Sequence, residues 1–168
     1  MKKYILPGFS KKNKDWVDQV SGELSQGVGV YWKHWDNNKP EENWIENEAQ
    51  NIINNSNGEK FNIIAKSAGT LVCMSLLRTH PDLVNRVILC GIPIEDFQPG
   101  DEDRYEPLRN FPTEKILCIQ NVLDNHGTYE KIEVFIHRIN KNIIIVSKTR
   151  GDHEYPYIED FESFINKA

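Results

Sequence analysis

The chain alternates short apolar runs with stretches in which apolar positions return every three or four residues. Runs rich in Val and Ile at residues 4–6, 28–32, 61–65, 86–91, 115–120 and 142–147 read as strands. Most are apolar at successive positions, which predicts strands covered by helices on both faces. Between them, Trp16, Val17, Val20 and Leu24 form one helical stripe. Trp44, Ile45, Ala49, Ile52 and Ile53 form a second, expected to open after Pro40 with Glu41 and Glu42 in its first turn, where acids favour the helix dipole. A third stripe follows Ser67 through Leu71, Val72, Cys73, Leu76 and Leu77 and stops before Pro81. The fourth uses Ile132, Phe135, Ile136 and Ile139, with Thr128 as its expected N-cap. Ile158, Phe161 and Ile165 mark the last.

A strand–helix unit repeated six times predicts an α/β fold, a three-layer αβα sandwich of about six mainly parallel strands forming one domain over residues 1–168. One segment departs from the pattern. Residues 93–112 carry acids at 95, 96, 101, 102, 103 and 106 among several prolines and one glycine. This reads as a polar surface excursion, either a solvated loop or a short flap over an active site.

Composition narrows the function classes. With 168 residues, 39% hydrophobic and 27% charged, the chain is long enough for a real core. A net charge of −5 with scattered lysines and arginines argues against a nucleic-acid surface, which needs a concentrated basic face. No apolar run approaches the roughly 20 residues of a membrane helix. The basic N-terminus loses its apolar character at Pro7-Gly8, too early for a signal peptide, so the segment reads as the first strand and a cytoplasmic location is expected. Cys73, Cys90 and Cys118 form no C-x-x-C pair and lie in apolar segments, as buried small hydrophobes of a reducing compartment do.

The chemistry concentrates after the third strand. Phe61-Asn62-Ile63-Ile64-Ala65-Lys66-Ser67-Ala68-Gly69-Thr70-Leu71 runs from a buried strand through small-x-Ser-x-Gly directly into an amphipathic helix. That is the context of a nucleophile elbow, whose tight turn projects the serine hydroxyl from the carboxyl edge of the sheet. Alternatives are an ordinary Ser-Ala-Gly turn or a phosphate-binding turn. A nucleophilic serine needs a base and an orienting acid. Asp124 follows the fifth strand and His153 follows the sixth, so a parallel sheet brings Ser67, Asp124 and His153 to one edge.

At this point the chain resembles a compact, single-domain member of the α/β-hydrolase superfamily. Leu6-Pro7-Gly8-Phe9-Ser10 is similar to its oxyanion loop, residues 80–91 to the segment after its elbow helix, and Gly151-Asp152-His153 to its histidine loop. The resemblance spans nearly the whole chain, without the first two of the usual eight strands and without a lid domain. It implies Ser67 as nucleophile, His153 as base, Asp124 as orienting acid, and the N–H groups of Phe9 and Ala68 as the oxyanion hole. Pro7 and Lys66 depart from the family's habits.

Other candidates are weighed against this set. Ser10, Trp32, Trp35 and His126 are candidate substrate-binding residues, with aromatic packing as the bland reading of the two tryptophans. His126 is the main rival to His153. His34 packs or lines the pocket, His80 reads as a capping or surface residue at a helix end, and His137 is expected exposed. Asp124, His126, Asp152 and His153 as metal ligands match no metal motif, so neither metal nor cofactor is expected. The chain thus reads as an esterase, thioesterase or related acyl hydrolase acting on a small molecule, without nucleic-acid or membrane partners. The alternative is a catalytically idle binding protein on the same fold. Oligomeric state is not legible.

Overall fold

The computed structural model describes residues 1–37 and 39–167. Six strands form one sheet: β1 (Lys3–Leu6), β2 (Gly27–Gly29), β3 (Phe61–Lys66), β4 (Val84–Cys90), β5 (Ile116–Asn121) and β6 (Ile144–Lys148), in the order β2-β1-β3-β4-β5-β6. Every pairing is parallel, for example Tyr4 beside Ile63 and Ile88 beside Leu117. Five α-helices cover it: α1 (Lys14–Glu23), α2 (Trp44–Ser56), α3 (Gly69–Thr79), α4 (Tyr129–Ile139) and α5 (Ile158–Ile165). The chain steps from β1 outward to β2, then back across β1 to β3. With right-handed crossovers, this reversal puts α1 on the face opposite α2 and α3. It also opens a crevice at the carboxyl ends of β1 and β3, where the loops diverge.

Burial follows the strand pattern. All side chains of β3 and β5 are buried, because helices cover both faces of the central sheet. At the edge, β6 leaves Ile144 exposed. Trp16, Val17 and Val20 of α1, and Ile132, Phe135, Ile136 and Ile139 of α4, point into the core. The α2 helix ends where Asn57 and Gly58 take positive φ of 54° and 76°, a left-handed cap that stops the helical ladder.

Several boundaries differ from the pattern reading. The second strand spans only Gly27–Gly29, and residues 31–32 have left the ladder for a 3₁₀ turn at Lys33–Trp35. The second helix begins at Trp44, not directly after Pro40. Thr128 occupies the N-cap position of α4 without a side-chain capping bond. No α-helix joins β4 to β5, so the strand–helix unit is not repeated six times. Short 3₁₀ turns fill that excursion instead.

The excursion is also more than polar surface. Tyr105 and Leu108 are fully buried within it. The Tyr105 ring packs against Phe97 and Phe135, and its hydroxyl meets Thr70 Oγ1 at 2.5 Å. Its acids are partly paired outward: Arg138 reaches Glu102 and Lys131 reaches Glu95, while Arg78 donates to the backbone carbonyl of Asp103. A buried tyrosine in an acid-rich segment anchors the loop over α3, and periodicity does not reveal that.

Candidate active site

β3 delivers Ser67 to the crevice in a conformation that L-residues avoid. Its φ is +54°, in the left-handed region that costs a non-glycine residue about 1–2 kcal/mol. The surrounding backbone holds it there. The Ser67 N–H donates to the Cys90 carbonyl at 2.9 Å, and the Ser67 carbonyl accepts from the Thr70 N–H and Oγ1 at 2.9 and 2.6 Å. Gly69 has to be glycine, because a Cβ there would lie 2.5 Å from the Leu6 carbonyl oxygen and 2.6 Å from that of Pro7. The start of α3 therefore sits directly against the loop after β1.

Asp124 is fully buried just past β5. Its Oδ2 lies 2.7 Å from His153 Nδ1 and accepts the Tyr155 hydroxyl at 2.6 Å, while its Oδ1 accepts the His126 N–H at 2.8 Å. Burial pushes the carboxyl pKa up. The bonds from His153, Tyr155 and the His126 backbone outweigh that and hold it below the usual aspartate value. An ionised Asp124 fixes the His153 tautomer with its proton on Nδ1, leaving Nε2 as the free basic nitrogen. That nitrogen is buried and has no hydrogen-bond partner among the described residues, the Ser67 hydroxyl included.

The histidine loop is fastened from beneath. Asn121, the last residue of β5, donates through Nδ2 to the carbonyls of Asp152 and Glu154 at 2.7 and 2.9 Å, gripping the chain on both sides of His153. Tyr157 donates to Asn121 Oδ1 at 2.5 Å. Gln120 ties the neighbouring loops, accepting the Ile92 N–H and donating to the Gly127 carbonyl. Gly91, at φ +57°, makes room, since a Cβ there would meet Tyr155 at 2.5 Å and His153 at 2.9 Å. Sequence reasoning did not single out Gln120, Asn121, Tyr155 or Tyr157. The available signal was two amides closing an otherwise apolar buried strand.

Ser67, Ala68, His153, Phe9, Ser10 and His126 all border one cleft of about 610 Å³. Trp44, Ile45, Leu71 and Phe97 make much of it apolar, and Asp96 and Asp101 come from the excursion, which therefore walls the site as a flap does. His126 packs its ring 4.2 Å from that of His153 and is bonded through Nδ1 to Asp96 at 2.5 Å, so its side chain faces the flap instead of Asp124. Trp32 and Trp35 are not in the lining. They are buried behind the loop after β1 and donate to its carbonyls. His34 is buried beside them, His80 is half-buried against Thr79, and His137 is half-buried with Nε2 3.2 Å from the Ile143 carbonyl.

The cysteines are free and buried. Burial pushes the Cys118 thiol up to about 12 and those of Cys73 and Cys90 upward as well, so none supplies a thiolate. Among the described residues no group of three His, Cys, Asp or Glu side chains is arranged to hold a metal. No described helix is long and apolar enough to cross a membrane.

Comparison with known proteins places this geometry in context. The family described as alpha/beta hydrolase fold matches residues 7–115. Among solved structures, the chain resembles an alpha-beta serine hydrolase homologue from Coxiella burnetii at 14% identity, covering 98% of this chain and 83% of that one, with a TM-score of 0.71. It also resembles a Bacillus cereus carboxylesterase at 11% identity, covering 98% and 87%, TM-score 0.62. Naproxen esterase from Bacillus subtilis aligns at 16% identity over 98% and 83%, TM-score 0.63. At such identities the likeness is one of fold. No curated protein sequence matches the chain significantly.

Proposed function

We infer that this chain, which belongs to the α/β-hydrolase fold family, works as a serine hydrolase on a small ester, thioester or related acyl bond. The observation that carries the reading is a strained serine sharing one cleft with a histidine whose far nitrogen is held at 2.7 Å by a buried carboxylate. In this mechanism Ser67 Oγ attacks the acyl carbon while His153 Nε2 takes its proton. Asp124 stabilises the resulting imidazolium. The carbonyl oxygen gains charge opposite the Phe9 and Ala68 N–H groups. Collapse breaks the bond to the leaving group, which takes the proton from Nε2. Water then repeats the sequence on the acyl-enzyme and releases the acid.

The Ser67–His153 hydrogen bond is the step left for substrate to complete, as happens in many unliganded active sites. The cleft lining includes carboxylates but no lysine or arginine among the described residues, which suits uncharged acyl groups better than anionic ones. The test is intact-mass detection of labelling by a fluorophosphonate probe. A single adduct on the wild type, absent from Ser67→Ala and His153→Ala, is expected. A folded wild type that takes no label would overturn this reading in favour of an idle binding protein.

A further inference from the structure

Three side-chain donors converge on two consecutive carbonyls of the loop after β1. The Trp32 indole N–H donates to the Gly8 carbonyl at 3.0 Å. The Phe9 carbonyl lies 2.9 Å from His34 Nε2 and accepts from Trp35 Nε1 at 2.7 Å. All three come from the short segment after β2, and all are more than nine-tenths buried. A carbonyl can only accept, so His34 carries its proton on Nε2. Its Nδ1 is left bare, buried and without a partner among the described residues.

The consequence lies in peptide geometry. No described peptide bond is cis. In a planar trans peptide the N–H points opposite to the carbonyl of the residue before it. Drawing the Gly8 carbonyl back to Trp32 therefore turns the Phe9 N–H the other way. Drawing the Phe9 carbonyl back to His34 and Trp35 does the same for the Ser10 N–H. Phe9 and Ser10 both border the cleft, and neither N–H donates to a protein acceptor among the described residues. Ala68, the N-cap residue of α3, lies just across the gap, where Gly69 approaches the Leu6 and Pro7 carbonyls.

We propose that Trp32, His34 and Trp35 are positioning residues for the oxyanion hole. They hold the Gly8 and Phe9 carbonyls out of the cleft, so that the Phe9 N–H stands beside that of Ala68 to receive the developing charge. The inference rests on the serine-hydrolase reading above. With Trp32 disarmed, the Gly8–Phe9 peptide is free to rotate and lose its donor alignment. The Phe9 side chain does not replace the clamp, since it is half-exposed and its ring only packs on His34 and edge-on against Trp44, making no hydrogen bond to either carbonyl.

The test compares wild type, Trp32→Phe, Trp35→Phe, His34→Leu and the double variant Trp35→Phe/His34→Leu in hydrolysis of p-nitrophenyl butyrate and in fluorophosphonate labelling. Trp32→Phe removes the side-chain donor that the described residues supply to the Gly8 carbonyl and keeps an aromatic ring. Its kcat and labelling rate are expected to fall about 10- to 100-fold, a part of the 10²–10³ lost with an entire oxyanion donor. KM should stay within about two-fold and the pH midpoint of kcat should not move, because the His153–Asp124 pair is untouched. Trp35→Phe and His34→Leu each leave one donor on the Phe9 carbonyl, so single losses should be small and the double loss more than multiplicative. These two carry the test if Trp32→Phe does not fold. An unchanged kcat, a loss confined to KM, or a displaced pH midpoint would overturn the proposal while leaving the serine mechanism intact. A wild type that neither labels nor hydrolyses overturns both.

Discussion

Tyr155→Phe removes one oxygen and leaves the ring, so its cost can be worked from two bonds. The lost hydroxyl donates to Asp124 Oδ2 at 2.6 Å and accepts the Asn121 N–H at 3.2 Å. Tyr155, Asp124 and Asn121 are all fully buried, so no bulk water replaces either bond. A hydrogen bond to a charged group is worth about 1.5–3 kcal/mol, and a stranded buried donor costs about 1–3 kcal/mol. The combined loss should therefore be about 3 kcal/mol or more at neutral pH. For a chain of 168 residues that corresponds to a fall in Tm of about 8 °C. Urea denaturation at pH 7, with unchanged m-values, measures it. In an Asp124→Asn background the same substitution should cost less, because the acceptor is then neutral. A loss below about 1 kcal/mol, or full additivity of the pair, would refute the view that Tyr155 holds Asp124 ionised.

Three further outcomes are expected. Ser67→Gly and Ser67→Ala should both be inactive, but the glycine variant should be more stable by about 1 kcal/mol, since only it relieves the φ of +54°; equal denaturation midpoints would argue against strain at the elbow. The depressed Asp124 carboxyl contributes stability that is present above its unfolded pKa near ~3.9 and is lost as pH falls through the lower folded value, so Asp124→Asn should flatten the stability profile below about pH 5. An unchanged acid slope would assign it to other carboxylates. Lys66 Nζ is buried 3.3 Å from the half-exposed Glu154, over the Trp16 ring, so Glu154→Gln should strand a buried cation and cost about 1–2 kcal/mol after discounting for solvent. Lys66→Met, which puts an apolar group among apolar neighbours, should cost less; the reverse order in urea denaturation would contradict that asymmetry.

The order of strands and helices was legible because period is a local property: a strand covered on both faces must be apolar at successive positions, and a core-facing helix every three or four. The elbow was legible for the same reason, since strand, Ser67 and helix are contiguous and the turn between them is short. Local pattern failed where partners are distant. The excursion looked purely polar because the fully buried Tyr105 is a single residue among acids, and its anchor, Thr70, lies 35 positions away. Asp124 stands two residues from His126 and 29 from His153, yet its carboxylate meets the distant ring, because the β6–α5 loop lands above β5 and Asp96 draws the His126 side chain aside. Trp32 and Trp35 fell on the expected edge of the sheet. Whether they faced the cleft or the loop behind it depended on the direction in which the Gly8 and Phe9 carbonyls pointed. Hydrogen-bond direction between segments brought together only by folding is a tertiary quantity, and no spacing along the chain encodes it.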